Sequence, residues 1–193
     1  ADGKFNVYGI LTTELQSGKP KNVRMFRTQG PMVVGPVVVG PYLYVVSRDR
    51  SLYCIARGDF GQVWRYPTGE LLEQPPYPMV DPFLNRTVIL VKCGKAGAFT
   101  GLQDTDGKLL WEIPGAEGAI ARFAEPENAM DQRSIVVVQN EDKSISGHYL
   151  SNGKQIWRAP AQEFHPFCQN SREEFIFAAA QSGQIICALQ KAD

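Results

Sequence analysis

The residues of this chain best suited to chemistry are its two histidines and four cysteines, and their spacing argues against most reactions. His148 lies in Ile145-Ser146-Gly147-His148-Tyr149, which reads as a strand, and His165 lies in Phe164-His165-Pro166-Phe167. Neither has a second histidine at ligand spacing, so no metal site is expected. A serine nucleophile of the hydrolase type needs a strained Gly-x-Ser-x-Gly turn, and the chain contains none. Cys54, Cys93, Cys168 and Cys187 are spaced neither as a metal set nor as a redox pair. Cys54 and Cys187 stand among apolar strand residues and read as small buried hydrophobes. Cys93, beside Gly94, and Cys168, in Phe167-Cys168-Gln169, leave a disulfide between repeats open as an alternative. No catalytic residue, cofactor-binding residue or metal ligand is therefore expected, and no cofactor. Asn85-Arg86-Thr87 fits a glycosylation acceptor, a triplet that often arises by chance.

Composition narrows the partners. Twenty basic and twenty acidic residues give zero net charge, and no Lys/Arg stripe interleaves with aromatics. Phosphate backbones require concentrated positive charge, so nucleic acid is not expected. No apolar run is long enough to cross a bilayer, and the first residues lack a basic start followed by an apolar stretch.

The elements that must position these residues repeat. Trp64, Trp111 and Trp157 recur with a period in the forties of residues, each after a glycine turn and before a Pro or Gly breaker. A period of that length means a repeat architecture. Phe99-Thr100-Gly101-Leu102-Gln103 leads through Asp106-Gly107-Lys108 to Trp111, and Ile145 to Leu150 leads through Asn152-Gly153-Lys154 to Trp157. Tyr53-Cys54-Ile55 leads through Gly61 to Trp64. Asp-Gly and Asn-Gly accept positive φ and suit the twist of paired strands, so these are hairpin turns. Two partial copies flank them: Lys4 to Ile10 followed by Val23 to Arg27, with Phe26 in the tryptophan place, and Ser182 to Leu189 at the end.

Between successive tryptophans four short β-branched or aromatic runs fit, separated by Gly, Pro, Asn and Asp, and no segment holds helical periodicity. Runs such as Val37-Val38-Val39, within the expected strand Val33 to Val39, and Val136-Val137-Val138 are apolar on both faces, so each four-stranded sheet must stack on neighbours to bury them. The expected fold is all-β, a β-propeller of four-stranded antiparallel blades. It is a single domain over 1–193, with a partial blade at 1–28, blades at 29–68, 74–115 and 118–160, and an incomplete blade at 161–193. Gly61, Trp64, Gly107, Trp111, Gly153 and Trp157 form the structural blade motif, the indoles filling the gap between adjacent sheets.

The pattern of apolar strand, Gly-Lys-x-x-Trp and new strand resembles the PQQ-like β-propeller repeat of quinoprotein alcohol dehydrogenases and their cofactor-free relatives. Gly107-Lys108-Leu109-Leu110-Trp111 and Gly153-Lys154-Gln155-Ile156-Trp157 fit the tail of that family's tryptophan-docking motif. Gly101 and Gly147 stand where the family usually has alanine, Gln103 and Tyr149 where it has aspartate, and Gly61 to Trp64 is one residue short. The resemblance implies a ring of seven or eight blades in enzymes, with adjacent cysteines over the quinone and acidic and amide ligands for calcium. This chain has no Cys-Cys pair. Among cofactor-free members, it implies scaffolds such as those for outer-membrane barrel assembly, sensor domains, or propellers fused to activating enzymes.

By this reading the chain supplies 17 strands, one more than four closed blades require. Either Val23 to Arg27 completes the last blade of a four-bladed ring, or the chain is part of a seven- to eight-bladed one. The expected function is a non-catalytic scaffold that binds a protein partner, whether a distinct protein, a second copy or the remainder of a larger propeller. The alternatives are a divergent quinoprotein dehydrogenase fragment and a ligand-sensing propeller for glycans or small molecules. Met32, Tyr77 and Met79, beside rigid prolines, are the candidate interaction surface, unless they form the first-strand entry of each blade. The resemblance implies a periplasmic or other extracytoplasmic location, against which four unpaired cysteines would favour the cytoplasm.

Overall fold

The computed structural model describes residues 5–10, 22–32, 34–81, 84–93, 98–124, 134–159, 164–169, 175–180 and 185–189, with side chains described outside 117–124 and 164–189. The described residues contain strands and turns and no helix. They form five antiparallel sheets in chain order. The first pairs β1 (Asn6–Gly9) with β2 (Arg24–Arg27). Three four-stranded sheets follow. One is β3 (Val37–Val39), β4 (Tyr42–Ser47), β5 (Ser51–Ala56) and β6 (Gln62–Pro67). The next is β7 (Tyr77–Asp81), β8 (Arg86–Lys92), β9 (Phe99–Gln103) and β10 (Leu109–Ile113). The third is β11 (Ala116–Ala124), β12 (Ser134–Asn140), β13 (Ile145–Tyr149) and β14 (Gln155–Ala159). The last sheet is β15 (Phe164–Gln169), β16 (Phe175–Ala180) and β17 (Ile185–Leu189). Strand order within each four-stranded sheet is simple up-and-down.

One detail departs from expectation. Of the described residues in the expected strand Val33 to Val39, those from 34 on, only Val37–Val39 is strand, since Pro36 has no N–H to give to a ladder. Of the two places open to Val23 to Arg27, Arg24–Arg27 pairs with Asn6–Gly9 in a two-stranded sheet, and β15, β16 and β17 form a separate sheet of three.

Alternation along each strand sends neighbouring residues to opposite sheet faces, and along the middle strands β4, β5, β8, β9 and β12 both faces are buried. Leu43, Val45, Tyr53 and Ile55 of the first full blade pack with Val7 of β1 and Met32. Tyr44, Val46, Leu52, Cys54 and Trp64, on its other face, pack with Ile89, Val91, Cys93 and Leu102 of the next blade. That blade in turn offers Val88, Leu90, Phe99, Trp111 and Ile113 to Ala116, Val136, Val138 and Leu150 of the third. Among the described side chains the core is thus a series of layers between sheets.

Candidate functional site

The tryptophan sockets are built from strand register upward. Trp64, Trp111 and Trp157 stand opposite Cys54, Gly101 and Gly147 on the third strand of their own blades. In each case the register shifts beside the tryptophan, leaving Val63, Leu110 or Ile156 as the extra residue of a bulge. A bulge re-aims the following side chain. The Trp64 indole N–H donates to the Asp104 carbonyl at 2.7 Å, and that of Trp111 to the Leu150 carbonyl at 2.8 Å, both in the next blade. Gly107 and Gly153, at φ 69° and 70°, lie against those same indoles, where a Cβ would come within 2.7 Å of Trp64 and 2.9 Å of Trp111. On its own blade, Gly101 gives Trp111 room, because a Cβ there would stand 2.6 Å from the ring. Gly147 serves the half-buried Trp157 in the same way.

The first full blade departs from this plan. Phe60 N–H donates to Ala56 O and Ala56 N–H to Gly61 O, the same pattern that Gly107 and Gly153 make with Gln103 and Tyr149. Phe60, at φ 62°, therefore occupies the left-handed turn position that glycine holds in the next two blades, and Gly61 sits one residue beyond it. No residue is missing between turn and Trp64. The preceding β1–β2 sheet departs in a matching way: Phe26 stands where the other blades have tryptophan, opposite Val7, and packs edge-on against Tyr53 with ring centroids 5.6 Å apart. The Phe60 ring fills the space above Gly9, where any Cβ would collide with it. At this junction a smaller aromatic on β2 and a second one in the turn of the next sheet stand where later junctions have tryptophan and glycine.

His148 is buried, and its surroundings explain why. Its Nδ1 lies 2.9 Å from the Gly153 carbonyl, which can only accept, so Nδ1 carries the proton. Nε2 then accepts from the Ser146 hydroxyl at 2.8 Å. Asn140 joins Ser146 to Ser144, completing a buried polar chain beside the Trp111 socket. Burial, opposed by the Gly153 hydrogen bond and aided by Arg158, holds the imidazole below its ordinary value of 6.5. A depressed folded value contributes stability that is complete above about pH 6.5 and is lost as pH falls through the folded value. The unfolding midpoint in denaturant should therefore drop between about pH 7 and pH 5. His148→Gln should flatten that slope, measured by urea melts at each pH. An unchanged slope would contradict the buried neutral assignment.

The hairpin charges are organised more closely than solvated turns require. In the first full blade Arg65 donates to Ser51 at 2.9 Å and approaches Asp49 at 3.7 Å. In the third, Arg158 donates to Ser144 at 2.9 Å and pairs with Asp142. Asp142 is held low by the Ser144 hydroxyl and N–H, with Arg158 adding to the effect. The signal was present in the sequence as Asp-x-Ser before, and Trp-Arg after, the intervening turn. The second blade has Glu112 in the arginine place.

Of the candidate surface residues, Met32 is buried, 8 % exposed, and bridges Ser47 from within the first core layer, so it offers little contact area. Tyr77 and Met79 are half-buried on β7, the first strand of its blade, and pack on the layer around Phe99, with the Tyr77 and Phe99 rings 6.2 Å apart. The larger exposed apolar surface lies on β1–β2, where Tyr8 and Met25 pair across the ladder and Ile10 and Val23 continue the same face. Cys54 and Cys93 are free and buried, and burial pushes the Cys54 thiol up to about 12, which makes it inert as a nucleophile. The side chains of His165, Cys168 and Cys187 lie outside those described. Among the described residues no three His, Cys, Asp or Glu side chains converge as a metal site, and no helix is long and apolar enough to cross a membrane.

Known proteins give this geometry its context. BamB from Moraxella catarrhalis superposes with a TM-score of 0.65 at 15% identity, over 95% of this chain and 52% of that one. The dihydro-heme d1 dehydrogenase NirN, solved in complex with DHE, gives 0.60 at 15% identity, over 95% of this chain and 41% of that one. BBS1N, solved in complex with ARL6DN, gives 0.55 at 13% identity, over 89% of this chain and 55% of that one. The chain thus spans about half the length of these relatives, and at such identities the likeness speaks for the β-propeller fold alone. No curated protein sequence matches. The family described as outer membrane protein assembly factor BamB matches residues 16–191. Its repeat, tryptophan sockets and stacked four-stranded sheets agree, and the chain belongs to this PQQ-like β-propeller family.

Proposed function

We propose that this chain is a non-catalytic propeller scaffold that binds a protein partner outside the cytoplasm. The family match over residues 16–191, to a description that reads as an assembly factor of the outer membrane, carries this reading. The described polar residues support it. Among the buried ones, His148, Ser146 and Asn140 bond to one another and to a backbone carbonyl, Thr100 donates to the Cys93 carbonyl, and Ser134 donates to Asp81. Residues 1–193 act as one array, as an arc of a larger ring or a ring of about four blades, in which the stacked sheets hold the exposed strand and turn surfaces rigid. BamB and BBS1N show that propellers of this kind occur in proteins named for assembly or solved with a protein partner.

Two measurements test the reading together. The immobilised chain should retain one protein at a fixed molar ratio from a detergent extract of cell envelopes, identified by mass spectrometry and reconstituted from purified components. It should not oxidise primary alcohols when supplied with pyrroloquinoline quinone and calcium. Turnover in the second experiment, or no stoichiometric partner in the first, would overturn the scaffold assignment.

A further inference from the structure

We infer that the groove between the β1–β2 sheet and the turn joining β5 to β6 binds an extended, apolar peptide segment bearing carboxylates. This deepens the scaffold reading and rests on it. The groove encloses about 740 Å³, within the range of about 300–1,000 Å³ typical of specific sites. Leu43 is buried at its base, Phe60 forms a half-buried wall, and Tyr8, Ile10 and Val23 expose more than a third of their surface around it. Arg24 and Arg57 are the charged residues among its described lining, both exposed, and no described carboxylate faces them there. Arg57 gives one guanidinium nitrogen to the Gly40 carbonyl at 2.8 Å. A guanidinium has five N–H donors in a fork, so that contact leaves others for a ligand carboxylate. Apolar, aromatic and arginine surface with no carboxylate among its described lining is complementary to acidic, apolar polypeptide.

Phe60 supplies the second observation. The corresponding turns of the next two blades use Gly107 and Gly153, for which positive φ is free of cost. At Phe60 the same conformation costs about 1–2 kcal/mol for an L-residue. The hydrogen-bond pattern of the turn does not require the side chain, because glycine makes it equally well in the sibling turns. The Phe60 ring packs against the core layer around Leu43 and Ile55 and, half-buried, also forms a wall of the groove.

The test uses fluorescence anisotropy with the full chain and a labelled peptide, acetyl-Val-Tyr-Val-Asp-Leu-Asp, its asparagine counterpart, and decanoate as a small amphiphilic anion. The acidic peptide should bind at least tenfold more tightly than the asparagine peptide, and more weakly as salt rises. Arg24→Ala with Arg57→Ala should weaken it at least tenfold with the melting temperature unchanged, since both side chains are exposed. Phe60→Gly, which restores the residue of the sibling turns, should keep the fold and weaken binding severalfold. Equal binding of the two peptides, no binding, insensitivity to both variants, or displacement of the peptide by equimolar decanoate would overturn the assignment. If the peptide fails while an envelope partner is still retained, the groove falls and the scaffold stands. If the peptide binds and no partner is retained, the scaffold reading falls instead.

Discussion

Trp111→Ala is expected to lower the unfolding free energy by about 3–5 kcal/mol, the range for removing a large aromatic from a packed core. The magnitude sits at the upper end of single substitutions because the loss is threefold. Trp111 is 7 % exposed and packs in the layer that joins the second and third blades, so truncation opens a cavity bounded by two sheets. Its indole N–H is the donor to the Leu150 carbonyl, which would be left buried without that partner. Gly101 and Gly153, which have no side chains to move into the space, face the ring from its own blade and from the next. Urea unfolding followed by far-ultraviolet circular dichroism measures the change. A loss below about 1 kcal/mol, the range of surface substitutions, would mean the indole does not join the blades.

Gly153→Ala is the second large effect, expected to cost about 2–5 kcal/mol as the sum of a left-handed backbone penalty and an overpacked core. At φ 70° an L-residue is strained whatever the space around it, and here the added Cβ also lies 2.9 Å from the root of the Trp111 side chain. Those ring atoms lie next to the backbone, so the indole cannot swing aside without shifting its strand. Gly115→Ala separates the two contributions. Gly115 has φ 67° but open space where its Cβ would lie, so only the backbone penalty of about 1–2 kcal/mol should appear. Equal losses at the two positions, measured in the same urea melts, would show that contact with Trp111 adds nothing.

The blade architecture was legible because stacking leaves a periodic mark. An indole and a left-handed glycine are needed once per sheet junction, and Trp111 with Gly153 writes that need into the sequence at fixed spacing. The alternation in Leu43-Tyr44-Val45-Val46 likewise announces two buried faces. The first junction was harder to read because the same space is filled by different residues. Phe26 replaces tryptophan, Phe60 replaces the turn glycine, and an aromatic at positive φ is not what turn chemistry predicts. Gly61 therefore stands one place beyond the turn position that its neighbour Phe60 occupies. For Met32 the sequence leaves surface and first-strand entry open, and the structure has it bridge Ser47 and turn into the core. The Asp-x-Ser and Trp-Arg pairs were visible, yet their joining depends on the hairpin bringing residues 14 apart, as in Arg65 and Ser51, side by side.

The groove beside Phe60 was not legible at all. It is assembled from β1, β2, the start of β4 and the β5–β6 turn, and no local pattern reports that Arg24 and Arg57 share a cavity.

Hydrogen exchange and nuclear Overhauser contacts of the tryptophan indole N–H groups test the stacked-blade claim most directly. The account predicts slow exchange for Trp64 and Trp111, with through-space contacts from their rings to the Gly107 and Gly153 α-protons of the following blade. Rapid exchange, or contacts confined to each tryptophan's own sheet, would contradict it.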